Sequence, residues 1–457
     1  MHLASSVLVV VLATLRIPLT RCIDPPPPYA SQCLLDVPLN LYNQSHALPS
    51  VSIDLNVPPK LRWKALAAHG AVGIAATVDY LKNKTCFAVC LLNATLCKED
   101  SQEFLGNRPG DEYKICSSAW KLVDSLLGGL LIGRFPQPYR DEIQGIAEAA
   151  SLPLADVALY NLLYEFLSVS STTVILAPKS NRNTDSGLLH GYNFDFGRWL
   201  GWNATTHQWA INEIARELVV QISWTRGPAM LCQTVGVIGH VGQFVGVRTG
   251  EYSLSLNARP KITSVSGLIQ WLLGRSGSAW LPTLYTRELL LNHATYAAAK
   301  SALLSNETEL ILPAFYSLAN AKRTTTTTTM EAVIIARNLL NTTQVTELRL
   351  SNSTASWLVQ TNQLQGKKAF WLNDRQTPTE YCVGRVSKDE RRSNAITRVS
   401  RDIDAARAMI AKASLFNVLS SQITKTKSTL FTVLLEGNAP RPMETYVQRC
   451  VEASCWF

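Results

Sequence analysis

The strongest constraint on the fold is a change in apolar periodicity near residue 165. Before it, apolar residues recur at helical spacing over 62–81 and 118–131, a helix begins near Tyr139, and another opens at Pro153. After it, segments rich in β-branched residues or alternating with a period of two predict strands. The predicted strands are 171–176, 188–192, 218–224, 252–256, 333–336, 357–361 and 430–435. Predicted helices at 268–273, 287–304 and 402–419 interrupt them. A mainly helical N-terminal region followed by strands and long helices predicts an α+β layered sandwich.

The composition excludes two classes of protein. With 47% apolar and 17% charged residues, the 457-residue chain is not typical of a disordered protein, and its length alone would allow about three domains. Its net charge is +9, but lysine and arginine are scattered and form no long basic run, which argues against a nucleic-acid partner. A solvated basic surface is the simplest interpretation. Attraction to an anionic membrane surface is the functional alternative.

The N-terminal segment indicates the secretory route. The apolar stretch from Val7 to Leu15, bounded by Arg16 and Arg21, resembles a signal peptide that we place at residues 1–22. Seven N-x-S/T sequons and ten cysteines agree with that route. The predicted glycosylation sites are Asn43, Asn83, Asn93, Asn203, Asn306, Asn341 and Asn352. No later apolar run reaches the roughly 18 residues that span a bilayer, so we expect a soluble lumenal or secreted protein.

The cysteines divide into groups along the chain. Four of them lie within about thirty residues and predict a disulfide-tied excursion at 83–116, with their pairing left open. These four are Cys86, Cys90, Cys97 and Cys116. A zinc site is the alternative, but no histidine lies between them and an oxidising compartment favours disulfides. Cys450 and Cys455 can close a C-terminal loop, which leaves Cys33 and Cys382 for a long-range bridge. Cys232 lies in strand-like sequence and is interpreted as a buried, inert thiol.

Familiar catalytic signatures are missing from the sequence. It contains no G-x-S-x-G, no H-E-x-x-H and no Walker loop, and its seven histidines are scattered. The glycine series from Gly239 to Gly250 lacks dinucleotide-binding spacing and is interpreted as close-packed strands and turns. The threonine run 324–329 is interpreted as an extended hairpin arm.

Several ordered blocks resemble the acid ceramidase family, which is related to N-acylethanolamine acid amidase. They are Tyr164-Glu165, 190–197 (HGYNFDFG), 200–203 (LGWN), 252–257 (YSLSLN), 360–362 (QTN), 374–378 (DRQTP), Cys382, 444–446 (ETY) and the terminal cysteine pair. The likeness extends from about Cys33 to Phe457, and segment 86–116 looks like an insertion.

The resemblance implies an N-terminal-nucleophile hydrolase with an αββα sandwich and no cofactor. Such a protein cuts itself into an N-terminal α chain, here 23–169, and a C-terminal β chain, here 170–457. The new terminal residue attacks the amide of an N-acyl lipid and releases a fatty acid. Its freed α-amine, with a pKa near 8, is the general base, so no histidine is needed. The implied Cys33–Cys382 bridge would keep the two chains together.

The site residues carried over by the resemblance are Ser170, Tyr192, Asp195, Asn362 and Arg375. Ser170 stands where the family has its cysteine nucleophile, with Ser171 as the alternative if the register shifts by one. Asp195 matches the aspartate that holds the terminal amine. Asn362 matches the asparagine that stabilises the oxyanion.

Two further positions of the implied site depart from the family. Tyr192 replaces an arginine, and Gln376 replaces the arginine that follows the one matched by Arg375. A serine can act beside an amine base, but its hydroxyl is less nucleophilic than a thiol. The sequence therefore leaves two hypotheses open: an amidase acting on ceramide-type or N-acylethanolamine lipids, and a catalytically silent lipid-binding relative.

Overall fold

Two stacked β-sheets and their flanking helices form the protein, seen in a computed structural model. The structure describes residues 48–92, 129, 131–167, 170–177, 188–195, 202–203, 208–259, 264–320, 331–349, 357–362, 415, 419 and 429–447. The α+β fold class predicted from the sequence is confirmed.

The larger sheet has eight strands in the order β1-β6-β7-β8-β9-β10-β11-β12. Their bounds are β1 Ser50–Asp54, β6 Val219–Arg226, β7 Ala229–Val237, β8 Val245–Arg248, β9 Tyr252–Ala258, β10 Ala314–Asn320, β11 Glu331–Arg337 and β12 Thr342–Arg349. All described neighbours are antiparallel except β1, which pairs parallel with β6.

The smaller sheet has five antiparallel strands in the order β13-β2-β3-β14-β15. Their bounds are β2 Ser170–Leu176, β3 Leu189–Asp195, β13 Trp357–Gln360, β14 Thr429–Glu436 and β15 Met443–Val447. A separate two-stranded pair joins β4 Trp202–Asn203 to β5 Gln208–Trp209. Strand β2, where the predicted nucleophile lies, is thus an inner strand between β13 and β3.

Eight α-helices and one short 3-10 helix, Pro59–Leu61, lie entirely within the described part of the chain. The α-helices are α1 Lys64–Leu92, α2 Tyr139–Ala150, α3 Leu154–Tyr160, α4 Leu163–Leu167, α5 Ala210–Arg216, α6 Ser264–Leu272, α7 Pro282–Asn292 and α8 Tyr296–Leu304. Among the described residues, no helix combines the length and the apolar character needed to cross a membrane.

The order of the layers can be seen from what each strand face contacts. On β9, Tyr252 points to helix α7, where its hydroxyl donates to Leu289 O at 2.7 Å. The alternate residue Ser255 points instead to the smaller sheet and contacts Thr173 of β2. Beyond the smaller sheet, Leu415 and Leu419 pack on its far side with Leu176 and other apolar residues. Helices, the larger sheet and the smaller sheet are therefore stacked, with the helical residues Leu415 and Leu419 on the outer face, in the order of the αββα arrangement that the resemblance implies.

The N-terminal helical region is interlocked with the sandwich. Strand β1 extends the larger sheet, and Trp63 packs edge-on against Trp224 of β6 with ring centroids 6.0 Å apart. Residues of both regions share the main apolar core. Cleavage near residue 170 would therefore cut a chain whose two parts already form one packed unit.

One predicted helix is wrong as a single element. The segment 287–304 contains the end of α7 and all of α8, separated at His293–Thr295. Thr295 explains the break, because its hydroxyl accepts from Ala298 N and caps α8. The predicted helix 62–81 also extends further than expected, to Leu92, and therefore runs into the predicted excursion 83–116.

Several interpretations fit the described structure. The glycine series lies in strands and turns, with Gly239 at φ 87° and no room for a Cβ on Gly246 beside Gln233 O. Cys232 is a buried free thiol on β7, and burial raises its pKa to about 12. The signal peptide, the threonine run and most of the segments 118–131 and 402–419 lie outside the described residues.

Candidate active site

The two candidate nucleophile serines begin strand β2. In the register of β2 and β3, Ser170 is paired with Asp195, and Ser171 is paired with Phe194. Tyr192 is paired with Thr173, so it shares the face of Ser171, because side chains two residues apart lie on the same face. This face looks toward the larger sheet. Ser171 is only 1% exposed.

Asn362 fixes the backbone at the start of β2. Its Oδ1 accepts a hydrogen bond from the Ser171 N–H at 3.1 Å, and its Nδ2 donates to Ala258 O at 2.8 Å. The side chain is buried just after β13, which pairs with β2. The amide therefore joins β2 to the end of β9, and its oxygen holds the nitrogen of the Ser170–Ser171 peptide bond.

Asp195 ends strand β3 and is 2% exposed. The Thr429 hydroxyl of β14 donates to Asp195 Oδ1 at 2.5 Å, and the two residues are paired across the strands. A short hydrogen bond to a carboxylate is a strong one. It holds the carboxyl at the end of the sheet where β2 begins.

Tyr192, which the resemblance places at a family arginine, supplies no positive charge. Its hydroxyl donates to Leu256 O at 2.9 Å, and burial raises its pKa above the ordinary value. The nearby Ser171 hydroxyl offsets part of that effect, although no described residue completes a hydrogen bond to it. The tyrosine is thus a neutral group that also ties β3 to β9.

A polar network between the two sheets was missed by the sequence reasoning. Thr173 Oγ1 donates to Asn257 Oδ1 at 2.7 Å and lies 3.0 Å from Ser255 Oγ. His190 places its two ring nitrogens 2.9 Å from Ser253 Oγ and Ser255 Oγ. Burial lowers the pKa of His190 to about 3, so the ring is neutral at acidic pH. The available signal was the alternation of polar residues along YSLSLN, which marks a second, polar strand face.

Glu165 was also missed as a chemically unusual group. It is fully buried on α4, and its Oε1 accepts from Thr283 Oγ1 at 2.8 Å at the start of α7. Among the described residues, none donates a hydrogen bond to its Oε2. Burial raises the pKa of Glu165 to about 7, with the hydrogen bond to Thr283 acting in the opposite direction. The sequence marked Glu165 only as part of a resembling block.

A small apolar cavity of about 30 Å³ borders Phe194, which is the neighbour of Ser171 across the strands. It lies between helices α3 and α4 and the sheets. The lining residues are Thr77, Tyr160, Leu163, Tyr164, Phe194, Ala215, Val237, His240, Phe244 and Leu430. Burial lowers the pKa of His240 to about 4. This volume suits about two water molecules.

Some predicted site residues cannot be placed. Arg375, Cys33, Cys382, Cys450 and Cys455 lie outside the described residues, as do the sequon asparagines Asn43, Asn93 and Asn352. Asn83 lies within α1 and Asn203 in β4, while Asn306 and Asn341 are exposed. In the described part of the chain, no three His, Cys, Asp or Glu side chains group as metal ligands would.

Comparison with known proteins agrees with the resemblance. No protein-family profile matches the chain. Acid ceramidase of Balaenoptera acutorostrata scammoni is 29% identical over 405 residues, covering 88% of this chain and 87% of the relative. Acid ceramidase of Homo sapiens is 28% identical over 405 residues with the same coverage. A solved structure of the Caenorhabditis elegans N-acylethanolamine-hydrolyzing acid amidase ortholog matches with a TM-score of 0.43 at 20% identity, covering 61% of this chain and all of that one.

The fold is thus that of an α+β protein. Its sequence is similar to those of acid ceramidases across most of the length of both chains.

Proposed function

We propose that this protein is a self-processing amidase of N-acyl lipids that uses a serine nucleophile. The observation that carries the proposal is the geometry at the start of β2. The buried Ser171 hydroxyl and the Asn362 amide lie at the Ser170–Ser171 peptide bond, and Asp195 is paired with Ser170 across the strands. The resemblance matches the nucleophile position to Ser170, and we assign the role to its neighbour Ser171, because Ser171 shares the face of Tyr192 and its nitrogen is held by Asn362.

Self-cleavage would proceed by an acyl shift. Ser171 Oγ attacks the carbonyl carbon of Ser170, the peptide C–N bond breaks, and the hydroxyl proton passes to the Ser171 nitrogen. The resulting ester is hydrolysed by water, which leaves a carboxylate on Ser170 and a free α-amine on Ser171. Asn362 Oδ1, which accepts from the Ser171 N–H in the uncut chain, would then accept from this amine.

Turnover would use the same groups. The Ser171 amine takes the hydroxyl proton while Oγ attacks the substrate amide, and the leaving amine departs with that proton. Water then hydrolyses the acyl ester and releases the fatty acid. Asp195 lies at the sheet end where the new amine forms, and its carboxylate would stabilise the protonated amine.

The test compares Ser171→Ala with Ser170→Ala in otherwise identical protein from secretory expression. Each is incubated at acidic pH with fluorescent ceramide and N-acylethanolamine, and its chains are separated on reducing gels. We expect Ser171→Ala to stay a single chain of about 50 kDa before glycans, without turnover, and Ser170→Ala to be cut and active. The reverse pattern would move the nucleophile to Ser170. An uncut wild-type chain without turnover would exclude the amidase.

A second candidate function is a catalytically silent lipid-binding protein. The neutral Tyr192 at the position of a family arginine favours it, because no charge from that side chain assists anion formation at Ser171. The expected signature is an intact chain that retains an acyl lipid in native mass spectrometry, equally in wild type and Ser171→Ala. Cutting of the wild type would contradict it.

We further propose a lysosomal or secreted location, glycosylation at the sequons and a Cys33–Cys382 bridge between the two chains. These proposals rest on the leader-like segment, the sequons and the homology. Peptide mapping without reduction tests the bridge, and a free thiol on Cys382 would exclude it.

A further inference from the structure

Exposed apolar side chains gather at one corner of the larger sheet. Leu304 at the end of α8 is 36% exposed, Leu340 in the turn before β12 is 60% exposed, and Val345 on β12 is 42% exposed. Strand β12 is the last strand of this sheet, and its described neighbour is β11 alone. An outer strand beside apolar side chains is a template for association with another chain.

Two N-glycosylation sequons lie at the same corner. Asn306 follows Leu304 by two residues, Asn341 directly follows Leu340, and both asparagines are exposed. The guanidinium of Arg337 donates to Leu303 O at 2.7 Å and to Ser305 O at 2.6 Å. These bonds join the loop after α8 to the end of β11.

A further contact keeps the two sequons in one place. The Thr342 hydroxyl of the second sequon donates to Leu303 O at 3.4 Å, so the turn before β12 lies against the end of α8. Because the loop after α8 and the turn before β12 are both fastened to the same helix end, glycans on the two asparagines would project from neighbouring points.

We propose that glycans on Asn306 and Asn341 form a paired shield over this corner, which keeps the outer strand β12 from associating with a second copy of the chain. An N-linked glycan is bulky and strongly hydrated, so two of them cover apolar surface that charged side chains here do not cover. The Lys300–Glu347 ion pair lies further along β12 and leaves Leu304 and Leu340 exposed. This inference rests on passage through the secretory route and not on amidase activity.

The test begins with protein secreted from a cell line that adds high-mannose glycans. Glycopeptide mass spectrometry reports the occupancy of both asparagines. The folded protein is then trimmed with an endoglycosidase under native conditions, and self-association is measured by sedimentation velocity over a concentration series. We expect both sites to be occupied and trimming to strengthen self-association about tenfold, the effect of burying roughly one leucine side chain.

Variants of the glycosylated asparagines show which glycans limit self-association. Asn306→Gln with Asn341→Gln should associate as the trimmed protein does, whereas the matched control Asn43→Gln should stay monomeric. Adding Leu340→Lys to the double variant should restore the monomer. An unoccupied asparagine at either position, unchanged association after trimming, or failure of Leu340→Lys to restore the monomer would each overturn the proposal.

Discussion

Two buried glutamates in the N-terminal helical region have opposite electrostatic environments. Glu142 of α2 and Glu165 of α4 are both fully inaccessible to solvent. Glu142 accepts from Arg287 at 2.5 and 2.7 Å, and its further donors are Arg62 and Trp63. Glu165 accepts from Thr283, and within the part of the chain that the structure describes its Oε2 has no hydrogen-bond partner.

The pKa values of Glu142 and Glu165 differ because of their hydrogen-bond partners, since both side chains are equally buried. Burial alone would raise the pKa of Glu142, but the charge and hydrogen bonds of Arg287 leave it below the usual value. Burial raises the pKa of Glu165 to about 7, because no cation counteracts it. The comparison shows that Glu142 is a charged link between the N-terminal region and the sandwich, whereas Glu165 is a group that changes charge near neutral pH.

Breaking the charged link has the largest expected effect on stability. Replacing Glu142 by glutamine leaves Arg287 buried, stacked over Trp224 and without a counter-charge. We expect the free energy of unfolding to fall by about 3–5 kcal/mol. The measurement is chemical denaturation at neutral pH in the Ser171→Ala background, where the proposed cutting cannot interfere. The control is Glu148→Gln, an exposed carboxyl on the same helix. A loss under about 1 kcal/mol would show that the arginines find other partners.

The second prediction concerns the pH dependence caused by Glu165. Its folded pKa of about 7 lies above the unfolded value of 4.5, so the folded state keeps a proton that the unfolded state loses between these values. Stability from this group is therefore fully present below about pH 4.5 and is lost as pH rises through 7, by about 3 kcal/mol in total. Glu165→Gln should flatten this dependence.

Denaturation of the uncut protein at pH 4.5, 6 and 7.5 measures the slope, with Glu148→Gln as the matched variant. Glu142 acts in the opposite sense, since its lowered pKa contributes stability that is lost in acid. If Glu165→Gln and the uncut parent change equally with pH, then Glu165 keeps one charge state throughout this range.

The fold could be predicted from the sequence more completely than the electrostatic environments of the buried carboxyls. Period-two alternation identified strands such as Tyr252–Ala258, because their faces differ in polarity. Strand β1 was missed, since a five-residue outer strand with one fully buried residue, Ile53, carries little pattern. The break before α8 was missed because a single capping threonine ends the helical pattern there.

Only part of the candidate site could be predicted from the sequence. Resembling blocks pointed to Asp195 and Asn362, but their partners could not be predicted. Thr429 lies 234 residues from Asp195 in sequence, and Arg287 lies 145 residues from Glu142. Such contacts depend on strand order and helix placement, which local propensity does not encode. The proposed choice of Ser171 over Ser170 likewise rests on the register of β2 and β3.

Asp195 offers a third type of buried carboxyl, held in part by a hydroxyl. Thr429→Val removes that donor, and we expect a stability loss of about 1.5–3 kcal/mol, together with a loss of about tenfold in the proposed turnover. Thr432→Val is the matched control, because it removes a 2.7 Å bond to Asn193 on the same two strands. It should cost about 1 kcal/mol and leave turnover within roughly twofold. Equal turnover in both variants would mean that Thr429 has only a structural role.

The smallest effect is expected for the ion pair on the outside of α2. Lys60 Nζ lies 2.6 Å from Glu148 Oε1, but the side chains are 48% and 64% exposed. Water screens such a pair, so a double-mutant cycle with Lys60→Met and Glu148→Gln should give a coupling of about 0.5 kcal/mol or less. Added salt at about 1 M should reduce it further. A coupling above roughly 1.5 kcal/mol would contradict the view that burial, and not the short distance between opposite charges, makes the Glu142 link strong.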